Sequence, residues 1–175
     1  MIKGGKGGSR TQSGLIFEGR VDLRTLFVGL KGYEYSENSL FFNGKVVAKF
    51  YKKYQLYSIL SHELGIDWKE RISKKLLPDE TIYIISNKTL FIIEMKFQEV
   101  PGSVDEKLQT CDFKKRQYEK LLAGSGIKVK YVYVLNEWFK KPEYKDVLNY
   151  IESVGCHYFF KEIPLLFLGL SEAEK

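Results

Sequence analysis

The stretch Thr89–Gln98, TLFIIEMKFQ, limits the fold of this chain more than any other. A strand shows alternate residues to opposite faces. One face of this run, Phe91, Ile93, Met95 and Phe97, is wholly apolar. The other begins apolar with Leu90 and Ile92, then turns to Glu94, Lys96 and Gln98. The pattern requires a strand covered on both sides for most of its length, with one polar end. Such ends are where α/β sheets place their sites. The preceding run, TIYII, reads as a partner strand, opened by Pro78-Asp79 and joined through Ser86-Asn87-Lys88. Folding the pair about that turn is expected to bring Asp79 opposite residue 96 or so.

Two carboxylates and one ammonium then meet at one sheet edge. Carboxylates crowded together repel unless a cation joins them. Magnesium is commonly held by one or two carboxylates, with waters and substrate phosphate completing the octahedron. A lysine beside such a site can orient a water or stabilise charge on a phosphorane-like transition state. An exposed salt bridge would use the same residue types, and Glu-x-Lys alone carries little information. The place of this one, ending an apolar strand opposite Pro-Asp, favours the metal-site reading.

The rest of the chain supplies the frame. Residues 1–13, MIKGGKGGSRTQS, read as a flexible, basic, glycine-rich arm. Lys6 is followed by Gly7 rather than by Ser or Thr, which rules out a phosphate-binding Walker loop. A helix is expected over residues 14–30, with Ile16, Leu23, Phe27 and Leu30 on one stripe and Glu18 and Asp22 sharing a face. A hairpin about Asn43-Gly44 joins SLFF to KVVAKF, and a helix over 54–76 is broken near Gly65 and stopped by Pro78. Pro101-Gly102 ends the strand that carries Glu94 and Lys96, and Ser103 with Glu106 forms a capping box for a helix to Ala123. A strand at 128–136, a proline-opened helix at 142–154 and a last strand, HYFFKE, complete the order. The expected fold class is α/β, a central mixed β-sheet flanked by helices. At 175 residues the chain is long enough for one domain with a sizeable core.

Composition narrows the partners. Hydrophobic residues at 44% and charged residues at 29% are globular values, and no apolar run approaches the ~20 residues of a membrane span. Two cysteines, Cys111 and Cys156, are too few for a disulfide framework. His62 and His157, the only histidines, are too few for a zinc site. A cytoplasmic protein is expected. The net charge of +6 leans toward a polyanionic partner. Its clusters include Lys3, Lys6 and Arg10 in the arm, Lys52 and Lys53 beside Phe50, Tyr51 and Tyr54, Lys114/Lys115/Arg116, and Lys140 and Lys141.

Pro78-Asp79 followed by Glu94-Met95-Lys96 resembles the PD-(D/E)XK nuclease superfamily, the fold of most type II restriction endonucleases. The resemblance covers residues 14–136, with an insertion at 33–76. It implies a restriction-endonuclease-like core carrying an inserted hairpin and helix, the whole of 1–175 being a single nuclease domain. It implies that Asp79 and Glu94 ligate Mg²⁺ and that Lys96 acts on the attacking water. Glu18 is the candidate for the glutamate that the family often carries on its first helix, and Gln98 can touch a phosphate or a water. Glu80 faces the other way. The activity implied is Mg²⁺-dependent hydrolysis of double-stranded DNA at a short specific site, by a homodimer paired with a cognate methyltransferase. The insertion, the arm and residues 136–141 are candidates for DNA contact. Alternatives are a junction resolvase on the same fold and a catalytically inactive DNA-binding module.

Overall fold

The structure, a computed structural model, describes residues 14–16, 22–100 and 104–172. In chain order the strands are β1 (Gly14–Ile16), β2 (Tyr33–Ser36), β3 (Ser39–Phe42), β4 (Lys45–Phe50), β5 (Glu80–Ile84), β6 (Thr89–Lys96), β7 (Lys128–Leu135), β8 (His157–Phe160) and β9 (Glu162–Pro164). The α-helices are α1 (Tyr54–Leu64), α2 (Val104–Leu108), α3 (Cys111–Leu121), α4 (Lys145–Ser153) and α5 (Leu165–Leu168). Strands β2 to β8 form one seven-stranded sheet in sequence order, and β1 pairs separately with β9. The meander from β2 to β6 is antiparallel, whereas β6, β7 and β8 run parallel. The architecture is therefore α/β, a mixed sheet flanked by helices.

Strand β6 is buried from Thr89 to Met95, as its composition demands. Phe91, Ile93 and Met95 join Val132 and Val134 of β7 in one core, closed by Leu23, Leu26 and Phe27 and by Leu165 and Leu168 of α5. Leu90 and Ile92 join Tyr131, Tyr133 and Leu135 in a second core on the opposite face. That core is closed by Leu56, Tyr57 and Leu60 of α1, Tyr118 and Leu121 of α3, and Ile151 of α4. Both cores exclude water from the middle strands, and fully burying a large apolar side chain contributes about 1.5–3 kcal/mol. No helix among the described residues is long and apolar enough to cross a membrane.

Several elements differ from expectation. Residues 14–30 do not form the expected helix: Gly14–Ile16 is a strand, residues 17–21 lie outside the described set, and Leu23–Phe27 is a 3₁₀ helix. Pairing with β9 and two glycines, Gly14 and Gly19, outweigh a weak helical pattern. Leu23, Phe27 and Leu30 still reach the core. The helix at 54–76 ends at Leu64, where Gly65 takes a left-handed conformation (φ 62°) and its N–H bonds the Leu60 carbonyl. The hairpin about Asn43-Gly44 forms with φ of 48° and 77°, but β2 adds a third strand to it. The insertion therefore extends the central sheet. The arm at 1–13 and the Ser103 cap lie outside the described residues.

A polar knot fastens the Asp22 segment to the sheet. Asp22 accepts hydrogen bonds from Arg24 (2.8 Å) and Lys52 (2.6 Å). Burial pushes its carboxyl up, but these hydrogen bonds win and hold it well below the usual carboxylate range. Glu80, 6% exposed on the same face, behaves oppositely. Burial drives it from 4.5 to about 7, against the attraction of Lys52. A folded-state value above the unfolded one means that the native chain holds the extra proton between those limits. Stability from this group is full below pH 4.5 and is lost as pH rises through about 7. Urea denaturation across that window should show Glu80→Gln losing less stability than the wild type with rising pH, by up to about 3 kcal/mol. Parallel curves for the two proteins would show that Glu80 is ionised throughout.

Candidate active site

The strand registers gather four segments at one edge. Phe50 pairs with Ile82, Glu80 with Ile93, and Lys96 with Leu135. The carboxyl ends of β4, β6 and β7 and the amino end of β5 thus coincide. Lys52 and Lys53, Asp79, Glu94–Gln98 and Asn136–Lys141 all leave the sheet there. Continuing the β5–β6 register puts Asp79 opposite Glu94, two residues short of the position expected from the turn.

Asp79 is fixed from two directions. Its Oδ2 accepts the Met95 backbone N–H at 3.0 Å, prolonging the β5–β6 contact beyond the last strand pair. Behind it, Pro78 is buried and Leu76 is gripped by two phenols. Tyr57 accepts the Leu76 N–H (2.7 Å) and donates to the Leu76 carbonyl (2.8 Å), to which Tyr118 also donates (3.2 Å). Burial pushes the Tyr57 hydroxyl up to about 12, so it stays a donor.

Glu94 and Lys96 project from β6 into the same space. Lys96 Nζ lies 2.7 Å from Glu94 Oε2 and 3.6 Å from Asp79 Oδ2, a cation between two carboxylates. It also sits 6.0 Å from the centroid of the Tyr133 ring. The second oxygen of Glu94 meets Lys114 of α3 at 3.3 Å. Sequence reasoning grouped Lys114 with Lys115 and Arg116 as surface charge and missed this contact. The signal was there: Cys111, Lys114, Tyr118 and Leu121 share one helical stripe, and the other three are buried. A lysine on an inward stripe needs an acid.

Gln98 is 7% exposed, and neither its amide oxygen nor its amide nitrogen has a hydrogen-bond partner among the described residues. Its backbone is held in place by Asn136, which donates to the Gln98 carbonyl at 2.7 Å and accepts the Gln98 N–H at 3.3 Å. A buried polar group without a partner costs about 1–3 kcal/mol. A primary amide can accept from or donate to a water or a ligand.

The donor set suits a small hard cation. Among the described residues no group of three or more His, Cys, Asp or Glu side chains gathers, so a zinc-type cage is lacking. Magnesium needs less, commonly one or two carboxylates with waters and phosphate oxygens. Asp79 and Glu94 supply the pair, and the Lys96 ammonium already rests between them as a cation does. These two residues would hold Mg²⁺.

The other expected residues divide. Glu18, Lys3, Lys6 and Arg10 lie outside the described residues. Lys52 is committed to Asp22, while Lys53 is exposed at the start of α1. Lys140 pairs with Glu137 at 2.9 Å, and Lys141 lies over the Trp138 ring. Glu80 faces away from Asp79, as expected. Cys111 and Cys156 are buried free thiols. Comparison with family models, with curated proteins and with solved structures finds no significant match.

The Leu76 clamp can be tested by Tyr57→Phe. Losing the only side-chain acceptor of the Leu76 N–H should lower the unfolding free energy by about 1–2 kcal/mol in urea denaturation. An unchanged midpoint would mean that the hydroxyl is dispensable.

Proposed function

We propose that this chain is a Mg²⁺-dependent endonuclease for double-stranded DNA, of the PD-(D/E)XK type II restriction kind. The observation that carries the proposal is the Lys96 ammonium between Asp79 and Glu94 at the polar end of a buried strand. The supporting context is a basic chain whose cationic segments 52–53 and 136–141 leave the sheet at that same edge. Mg²⁺, when bound, neutralises phosphate charge and favours deprotonation of a nearby water. Every other role falls to the chain. Asp79 and Glu94 would hold the ion. Lys96, beside both carboxylates, would donate a hydrogen bond that orients the attacking water or stabilises charge developing on the phosphate. Lys114 keeps the second oxygen of Glu94 fixed, and the Gln98 amide supplies a neutral donor to a phosphate oxygen. Water attacks phosphorus, one P–O ester bond breaks, and the departing oxygen takes a proton. One such site cuts one strand, so cutting a duplex calls for two copies about a two-fold axis.

The test is incubation with supercoiled plasmid and Mg²⁺. Discrete bands are expected. Asp79→Asn and Lys96→Ala should each slow cleavage by roughly 100-fold or more, with folding preserved by circular dichroism. Wild-type rates from Asp79→Asn would sink the reading. Cutting of branched substrates alone would point to a resolvase, and binding without cutting by the wild type to an inactive module. Affinity should also fall steeply with salt, log K changing by about −0.9 per phosphate contact per decade of salt. A flat response would remove DNA as the partner.

A further inference from the structure

Four residues before Asp79 lies a second feature that hydrolysis does not use. The Lys75 ammonium sits 4.9 Å from the Trp68 ring centroid, 5.0 Å from that of Tyr57 and 5.7 Å from that of Tyr54. All three fall within the ~6 Å reach of a cation–π contact. Tyr57 is the floor, 2% exposed, whereas Tyr54 at the mouth is 62% exposed. A cavity of about 530 Å³ opens between them, within the ~300–1,000 Å³ of small-molecule sites. Lys69 joins Lys75 on its wall. The one carboxylate there, Asp67, turns an oxygen to the Lys69 backbone N–H as a helix cap.

The neighbours of the Tyr54 ring define what this cavity can receive. The cation position is already filled by Lys75, so a second cation would be repelled. A flat aromatic group joined to an anion meets both the free ring face and the ammonium. That is the chemistry of a nucleotide: base on ring, phosphate on lysine. The location agrees. Lys75 precedes Asp79 by four residues, so the two Cα atoms lie within about 14 Å. At ~3.4 Å rise per nucleotide, that is about four nucleotides of stacked strand. The reciprocal bonds between Tyr57 and Leu76 tie the pocket to the segment that positions Asp79.

From this geometry we infer that Tyr54, Trp68 and Lys75 form a subsite for one unpaired nucleotide of the DNA strand being cut. A base inside a duplex has both faces covered and cannot stack on Tyr54, so the nucleotide is extruded or already single-stranded. The inference rests on the nuclease reading and refines its substrate: double-stranded DNA that presents one unpaired base a few nucleotides from the cleaved phosphate.

The experiment measures binding without divalent metal, which separates it from catalysis. Fluorescein-labelled 12-nucleotide single strands and duplexes of the same sequence are titrated with the full chain in EDTA, followed by anisotropy. Tyr54→Ala should weaken single-strand binding about 5- to 100-fold, the loss of one stacked base, and duplex binding less than twofold. Tyr54→Phe should restore it, since stacking does not need the hydroxyl. Lys75→Met should reduce the salt slope by about one ion for the single strand. Equal losses on both substrates, no loss from Tyr54→Ala, or no single-strand binding by the wild type would each overturn the subsite. So would saturable binding of tetramethylammonium, which would identify the pocket as a cation cage. A chain that fails here yet cuts duplex plasmid through Asp79 keeps its nuclease assignment.

Discussion

A single hydrogen bond, from the Met95 amide to the Asp79 carboxylate, ties one acid of the candidate site to the strand that carries the other. Strand pairing between β5 and β6 runs out at Glu80 and Ile93, and one residue further on a side chain replaces the backbone as acceptor. The exchange satisfies an amide that would otherwise be stranded near the core. It also brings one carboxylate against the strand that supplies the other. Met95 itself is 5% exposed and packed in the opposite core, so the donor cannot wander.

Around that point, charge is ordered by face. Above the second core sit Asp79, Glu94, Lys96 and Lys114. Below, in contact with the first, sit Asp22, Arg24, Lys52 and Glu80. Each group contains two acids and two bases, and the strand residues Asp79 and Glu80 feed one group each. The lower group is compact, and its strongest acid is saturated by two basic partners, which suits fastening. The upper group shares one lysine between two acids beside an amide that has no partner among the described residues, which suits exchange of partners. Strand alternation sends Asp79 and Glu80 to opposite faces, and the flanking segments supply the partners on each.

That same alternation explains what could be read from the chain. The switch from Leu90 and Ile92 to Glu94 and Lys96 is written in consecutive residues, so β6, its polar end and the helix-covered sheet were legible. So was the reversal at Asn43-Gly44, where the turn chemistry is local. The segment 14–30 misled because its apolar spacing fits a helix, whereas pairing with Glu162–Pro164 is decided some 150 residues away. The β5–β6 register was misjudged by two residues because a loop's length does not fix its geometry. Lys114 escaped notice because its acid lies on a distant strand, and the Lys75 cage because its aromatic walls come from both α1 and the turn at Trp68. Long-range partners leave only faint local marks.

The two phenols on Leu76 have a mechanical consequence. Tyr57 belongs to α1 and Tyr118 to α3, and α3 also carries the lysine that grips Glu94. Loosening α3 would therefore take Lys114 from Glu94 and one of the three hydrogen bonds from Leu76, while Tyr57 and the Met95 amide keep Asp79 in place. The two acids therefore do not share one fate: Glu94 follows α3, whereas Asp79 follows α1 and the edge of β6.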